Sequence, residues 1–409
     1  MNYLYVIHIL VYRQNGRILM EKAAALDVQA HQRLLPKHTR LILAAPAVDL
    51  EQTDVSADIL DEIEGVELVA LKHVDSFKEG IKNFRHNVHK LSEYVSAADL
   101  IHTGCGGFPF FFSPCYLAFR LALKRGKKVL FVMDCDLVGK LEMDQVRLTK
   151  NPLKKMIWYL FSKICWRTYT RCLSKASATF LLGRGVVSRY GKYANNQLEI
   201  YQPIVGQEMI IPTEELQTKI KSLEHSITTK ICFAGRLAPE KGLEVLFYAL
   251  ANIKVSFRFS VNIYGDGPYL KKYLDLVEEL DIKDLVTFHG NMVWGEELFG
   301  ELRQNHILII PHLTLEMTRN VFDGMASGCA IIASNTKALA QLMEESQAGV
   351  LFKTGDHKEL AQVLSNQLMK PHEIVSSIKN GIRFVRDNNR DSHVRRRLDF
   401  LQKTQVVRF

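Results

Sequence analysis

Gly235-Arg236-Leu237-Ala238-Pro239-Glu240-Lys241-Gly242 sets a guanidinium and an ammonium between an apolar run, Lys230–Ala234, and a segment of helical period, Leu243–Ala251. That order reads as strand, loop, helix. Gly235 lets main chain approach a ligand, Arg236 offers a planar fork of N–H donors, and Lys241 adds a mobile point charge. The unpaired N–H groups of the helix start contribute further positive potential, so the loop suits a diphosphate. An ordinary polar connection is the plainer alternative, but it does not require two cations beside a helix start.

Two more strand-end segments follow. Tyr264-Gly265-Asp266-Gly267-Pro268 leaves the apolar run Arg258–Tyr264 and enters a helix over Tyr269–Leu280. Gly265 and Gly267 allow a ligand to lie against main chain, although a structural turn uses the same residues. The third segment runs from Pro311 to Gly328, before the apolar strand Cys329–Ala333, and carries Glu316, Arg319 and Asp323 around a helix start. Carboxylates accept paired hydrogen bonds from vicinal diols, which fits Asp323 to a ribose and Glu316 to a sugar. Capping or ion pairing is the bland use of the same two acids.

In this order and spacing the three segments resemble the nucleotide-sugar half of the GT-B glycosyltransferases, specifically the retaining family 4, over roughly Lys230 to Leu368. Gly235-Arg236-Leu237 with Pro239-Glu240-Lys241-Gly242 is similar to that family's Gly-Arg-Leu and Pro-Glu-Lys-Gly loop, and Gly265-Asp266-Gly267-Pro268 also matches. Asp323-Gly324-Met325-Ala326 stands where Glu-Ala-Met-Ala is usual, and Glu316 precedes Asp323 by seven positions rather than eight. Glu316, Arg319, Phe322 and Asp323 resemble a branch with a Glu-x-x-Arg and Phe-Asp arrangement. The resemblance implies a donor site of Gly235, Arg236, Lys241, Gly265, Gly267, Arg319 and Asp323, with Arg236, Lys241, Glu316 and His102 as catalytic candidates. It also implies retention of anomeric configuration, with the nucleotide-sugar as substrate and no separate cofactor.

The first half is less diagnostic. His102 follows Leu100–Ile101, where family members often carry a histidine, and Gly104, Gly106 and Gly107 come after it. A structural histidine is the commoner outcome for a lone His. Asp134 and Asp136 end the next strand, Val129–Met133, and with Gly104 form the expected acceptor side. Asp134-Cys135-Asp136 also mimics a metal-binding Asp-x-Asp, but a cationic donor loop makes a divalent ion redundant, so no metal is expected. Lys163, Arg167, Arg171 and Lys175 recur every fourth residue, opposite Phe161, Cys165, Tyr169 and Cys172, as on a basic amphipathic helix. Such a helix either wets one face of a domain or meets an anionic membrane surface.

These residues need strands and helices in alternation to hold them. In the first half, strands are expected at Tyr3–Ile9, Arg40–Ala45, Leu100–Thr103, Val129–Met133 and Thr179–Leu182, with helices over 21–35, 77–96, 114–125 and 153–174. In the second, Lys230–Ala234, Arg258–Tyr264, Val286–His289, Ile307–Ile310, Ala330–Ala333 and Val350–Phe352 repeat the pattern. The fold class is α/β, with two doubly wound Rossmann-like domains facing a cleft. Residues 1–205 would bind the acceptor and 206–387 the nucleotide-sugar, with a basic C-terminal helix, 388–409, packing back across the junction.

Length and composition agree: 409 residues exceed what one core serves, and 47% apolar with 24 Gly and 11 Pro is globular. The excess of 53 Lys and Arg over 44 Asp and Glu favours anionic partners. No nucleic-acid module accompanies it. Seven cysteines without a Cys-x-x-Cys pair indicate neither a zinc site nor a disulfide framework, and fit a reducing cytoplasm. No segment is apolar enough to span a bilayer. The expected function is transfer of a sugar from a nucleotide donor to a hydroxyl of a glycan or lipid-linked acceptor in cell-surface polysaccharide synthesis, by a cytoplasmic enzyme resting on the inner face of a membrane. A silent sugar-nucleotide-binding subunit and an epimerase-like reaction are the alternatives.

Overall fold

The structure is a computed structural model in which residues 1–107, 110–142, 146, 149–225, 228–253, 258–314 and 317–407 are described. The chain divides into two units, Met1–Tyr201 with His393–Phe409, and Gln202–Ser392.

The first unit holds β1 (Asn2–Val6), β2 (Val11–Gln14), β3 (Arg17–Glu21), β4 (Arg40–Asp49), β5 (Leu60–Glu62), β6 (Glu67–Leu71), β7 (Leu100–Gly104), β8 (Lys128–Met133), β9 (Ala178–Leu182) and β10 (Gln197–Ile200). A parallel sheet runs in the order β10-β9-β8-β7-β1-β4-β6. Its strands are near-continuous apolar runs because helices cover both faces; Leu4, Val6, Ile42, Ile101, Val129 and Phe131 share one buried core. The apolar start of the chain does not continue as a strand to Ile9. It stops at Val6, and β2 pairs with the far end of β4, then turns antiparallel into β3 and β5. Asn15 and Gly16, both at positive φ, make the two-residue hairpin between β2 and β3. Asn-Gly is the residue pair such a turn favours.

The second unit repeats the doubly wound plan more simply. β11 (Thr228–Ala234), β12 (Arg258–Tyr264), β13 (Val286–Gly290), β14 (Ile307–Ile310), β15 (Ala330–Ser334) and β16 (Gly349–Phe352) lie parallel in the order β13-β12-β11-β14-β15-β16. The strand order reverses beside β11 and β14 here, and beside β1 and β7 in the first unit. Crevices at such reversals, outside the carboxyl ends of the strands, are where open α/β sheets bind ligands.

From His393 the last helix, Arg390–Lys403, belongs to the first unit. Arg397 is nearly buried, donates to the Tyr201 carbonyl at 3.2 Å and sits 3.6 Å from Asp27, while Phe400 packs edge-on against Phe180. Asp27 also accepts from the Tyr5 hydroxyl at 3.0 Å. A guanidinium taken out of water needs such partners, so this network fixes where the chain's end lies.

Candidate functional site

The loops at the β11 ends of the second unit are bound main chain to main chain. The Gly235 N–H donates to the Tyr264 carbonyl at 2.9 Å, Leu237 N–H to Asp266 at 2.9 Å, and Leu313 N–H to Glu240 at 3.0 Å. Gly265 has φ 137°, and a Cβ there would meet the Gly235 carbonyl oxygen at 2.0 Å. Gly242 has φ 70°, and a Cβ would meet the Pro311 oxygen at 2.0 Å. Both glycines are therefore required by close backbone approach and by a left-handed conformation that side chains resist. Gly267 continues the turn, its N–H on the Asp266 carboxylate at 2.6 Å.

Arg236 is two-thirds exposed and its fork rests on Glu240 Oε1 at 2.5 Å. An exposed pair of this kind is worth little, so an arriving anion can take the guanidinium over at small cost. Gly242 is the N-cap of the helix Leu243–Ala251 and has no side chain to satisfy the first N–H groups. Lys241 stands half-buried beside that helix start. The arrangement sets two cations and a helix N-terminus at the strand-order reversal, a combination whose chemistry suits an anion.

Asp323 lies on the short helix Asn320–Ala326 and is buried. Its Oδ2 accepts from Trp294 Nε1 at 3.2 Å, while Oδ1 has no partner among the described residues. Burial pushes its carboxyl up to about 6, opposed by the Trp294 hydrogen bond and the Arg319 charge. A buried carboxylate oxygen without a donor is costly unless a ligand supplies one. Arg319 is exposed just before the helix, and Phe322 is buried against Phe384. Glu316, the other expected acid, lies outside the described residues.

Sequence reasoning missed three residues here. Asn320 donates to the Ala234 carbonyl at 2.7 Å and so ties the third loop to the end of β11. Trp294 reaches Asp323 from the loop after β13, in which neither a glycine pattern nor a charge pattern points to a ligand. His312, two residues past the end of β14, is buried with Nε2 unpartnered among the described residues; burial and then the Lys241 charge hold it down to about 3, so it is neutral.

The first unit treats its strand ends differently. β7 runs on to Gly104, so His102 is inside the strand, 3% exposed, and not at an accessible strand end. Tyr3 Oη lies 2.9 Å from its Nδ1, Tyr5 stacks on its ring at 4.1 Å, and His31 is adjacent at 5.6 Å. Burial, His31 and Arg397 hold it well below the usual histidine range. Asp136 caps the helix Leu137–Leu141 through Gly139 N–H at 2.9 Å, and takes Arg189 and the Tyr190 hydroxyl at 2.6 Å each. Asp134 accepts from the Cys105 thiol at 3.1 Å, and the ligand-type atoms of Cys105, Asp134 and Cys135 lie within 4.8 Å of one another. The two aspartates of the Asp-x-Asp tripeptide thus have separate partners. Gly104 backs closely on Val132, and the His8 ring lies over Gly106, at the reversal beside β1 and β7.

Residues 228–370 match the glycosyl transferases group 1 family. The chain is 29% identical, over 60% of its length and 57% of the relative's, to the MMP alpha-(1→4)-mannosyltransferase of Mycolicibacterium hassiacum. It is 24% identical, over 42% of its length and 37% of the relative's, to the alpha-monoglucosyldiacylglycerol synthase of Streptococcus pneumoniae. It therefore spans less than two thirds of the length of these curated relatives. Among solved structures, Anabaena HepE in complex with UDP superposes over 98% of this chain and 100% of its own, with TM-score 0.69 and 14% identity. At that identity the likeness is one of fold, and the fold is GT-B, built from two Rossmann-like α/β domains.

Proposed function

From the match of residues 228–370 to the glycosyl transferases group 1 family we propose that the chain is a retaining, metal-independent glycosyltransferase acting on a nucleoside-diphosphate sugar. The observation that carries this reading is the convergence of the Gly235–Gly242 loop, the Gly265–Pro268 turn and buried Asp323 around the strand-order reversal of the second unit. The donor diphosphate lies against Gly235 and Gly265 main chain, faced by Arg236, Lys241 and the N–H groups at Leu243. The ribose hydroxyls fill the open valence of Asp323. As the anomeric C–O bond breaks, its electron pair stays on the diphosphate, and cations already in place stabilise that charge without reorganising. The acceptor hydroxyl attacks the same face of the anomeric carbon, its proton passing to the departing diphosphate oxygen, and the carbon keeps its configuration.

The acceptor is a hydroxyl of a glycan or a lipid-linked sugar, in cell-surface polysaccharide synthesis. The relative named for glucosyldiacylglycerol supports a lipid-borne acceptor, and the exposed cations Lys163, Arg167, Arg171 and Lys175 suit an anionic membrane face on the cytoplasmic side.

A thermal-shift screen against UDP-, GDP- and ADP-sugars tests the donor, because a ligand that binds only the folded state raises its melting point. UDP-sugars come first, since the HepE structure holds UDP. The donor that shifts the protein is then incubated without acceptor. Slow release of nucleoside diphosphate is the expected result; binding without any release identifies a silent sugar-nucleotide-binding subunit instead.

A further inference from the structure

The helix Pro152–Lys175 carries six Lys or Arg and no Asp or Glu. Its burial is uneven. Ser162, Cys165, Tyr169, Cys172 and Leu173 face the core, whereas nearly every side chain of the first turns is in solvent. Leu153, Met156, Ile157, Leu160 and Ile164 are each 51–62% exposed. Their spacing places all five on one arc of roughly 100°, along about 16 Å of helix. Arg167, Arg171 and Lys175 continue the same arc. The outward stripe is thus apolar over its first half and cationic over its second, a change of character that the fourfold spacing of the cations alone does not reveal.

A second helix adds to the patch. On Phe77–Ala97, Phe77, Ile81 and Phe84 are 46%, 70% and 39% exposed at one helical face. Phe77 meets Phe161 edge-on at 6.2 Å and Phe112 at 6.3 Å, and Phe84 meets Phe112 at 6.1 Å, so the exposed groups of both helices join through shared rings. Lys78, Lys82 and Arg85 flank the one row, Lys154, Lys155 and Lys163 the other, all exposed. Contiguous apolar surface of this extent, rimmed by polar and mostly cationic side chains, marks an interaction site.

We propose that this surface is a membrane-docking platform, in which the apolar residues of the two helices enter the hydrocarbon boundary of an anionic bilayer while the surrounding cations sit at the phosphates. It deepens the membrane-borne acceptor reading and rests on it. The charge selects the occupant, since cations that outnumber the nearby acids Asp75 and Glu79 complement lipid phosphates, whereas a second copy would bring the same cations against these. An amphipathic helix of this kind lies in the interface plane, its apolar face about 5–10 Å into the boundary. Attachment then has two components. The charge attraction is screened within a Debye length, and the apolar insertion survives salt.

Cosedimentation of the full chain with vesicles of phosphatidylglycerol and phosphatidylcholine, at low and high salt, separates them. The wild type is expected to bind at low salt and to keep a measurable fraction bound at high salt. L153Q/I157Q/L160Q removes exposed groups only, so melting point and acceptor-free donor hydrolysis stay at wild-type values. Vesicle affinity should fall at least tenfold, with the salt-resistant fraction gone. R167Q/R171Q/K175Q should bind less at low salt and keep the salt-resistant fraction. Wild-type affinity in the leucine and isoleucine variant overturns the platform, and leaves electrostatic attachment standing if the arginine variant is impaired. No vesicle binding by the wild type overturns both. A dimer in light scattering that the apolar variant dissociates overturns it in favour of a second copy. Vesicle binding without donor hydrolysis supports the platform and removes the transferase reading, so the two fail separately.

Discussion

Both units wind their strands in the same order around a central reversal, yet they use that place in opposite ways. In the second unit the loops are fastened to one another by backbone hydrogen bonds, which leaves Arg236 pointing into solvent and one Asp323 oxygen without a partner among the described residues. In the first, the polar side chains at the strand ends are taken up by each other: His102 by Tyr3 and Tyr5, Asp136 by Arg189, Tyr190 and Gly139, Asp134 by Cys105. A site whose shape is built from main chain keeps its side chains available for a ligand. A strand end held together by side chains has already used them.

The sharpest way to break this contrast is to put a side chain where the main chain must pass. Gly265→Ala places a Cβ 2.0 Å from the Gly235 oxygen, at a φ that alanine resists. Neither backbone can give way without parting the two loops. Donor affinity should fall more than a hundredfold, roughly 2.7 kcal/mol or beyond, in calorimetric titration with the nucleoside diphosphate. Near wild-type affinity would show that the loops are not the donor cradle.

The matching change in the first unit should act on stability instead. Asp136→Ala removes a helix cap, leaves the Tyr190 hydroxyl without its acceptor and takes away one of the two carboxylates that hold Arg189, Glu142 at 3.2 Å being the other. The expected loss is about 2–4 kcal/mol in denaturant unfolding. Nucleotide affinity measured below the transition should not move. A variant that folds as well as wild type would return Asp136 to the functional candidates.

Arg236→Ala and Lys241→Ala test the cations themselves, and each should lower kcat by about two orders of magnitude, as for loss of one preorganised charge from a developing anion. Melting points should hold for Arg236→Ala, because its pair with Glu240 is on the surface. Unchanged turnover in both variants, with a confirmed donor, would place the diphosphate elsewhere.

The contrast also explains what could be read before any coordinates. Backbone-built sites write themselves into sequence, because only glycine tolerates the contacts at Gly242 and Gly265, and the strand-loop-helix alternation fixes which loops can meet. The strands of the second unit were legible almost residue by residue because each is a short apolar run, buried on both faces in the central β14 and β15. His102 was not, because whether a strand-end histidine opens to solvent depends on where the strand stops and on Tyr3, Tyr5 and His31, which lie far away in the chain. Trp294 belongs to the same class, since its partner Asp323 is brought near only by folding. The β2–β3 hairpin is signalled by Asn15-Gly16 alone, because strands of four and five residues are too short to show a period of their own. The apolar row on the helix Pro152–Lys175 was present in sequence, but its exposure depends on which turns of that helix the domain leaves uncovered.

Asp323 carries the smallest expected effect and the most informative one, because its two dependences on pH have opposite sign. Asp323→Ala should weaken nucleotide binding by about 1.5–3 kcal/mol, the value of hydrogen bonds to a charged acceptor. Burial raises its carboxyl to about 6, against an ordinary value of 3.8. The folded chain without ligand therefore holds this proton more tightly than the unfolded chain does, and the group's contribution to stability is full below about 4 and is lost as pH rises toward 6. A ribose diol, by contrast, donates to the ionised form, so nucleotide affinity should fall as pH drops below 6, by up to about tenfold per pH unit. Asp323→Asn separates the two. Its melting point should gain on the wild type as pH rises from 4 to 7, a comparison that cancels the buried histidines common to both proteins. Its nucleotide affinity should be weaker at pH 7 and flat across the range in which the wild type varies. If wild-type affinity is equally flat between pH 5 and 7, the carboxylate does not bind the diol, and the open oxygen of Asp323 serves the fold of the loop rather than the donor.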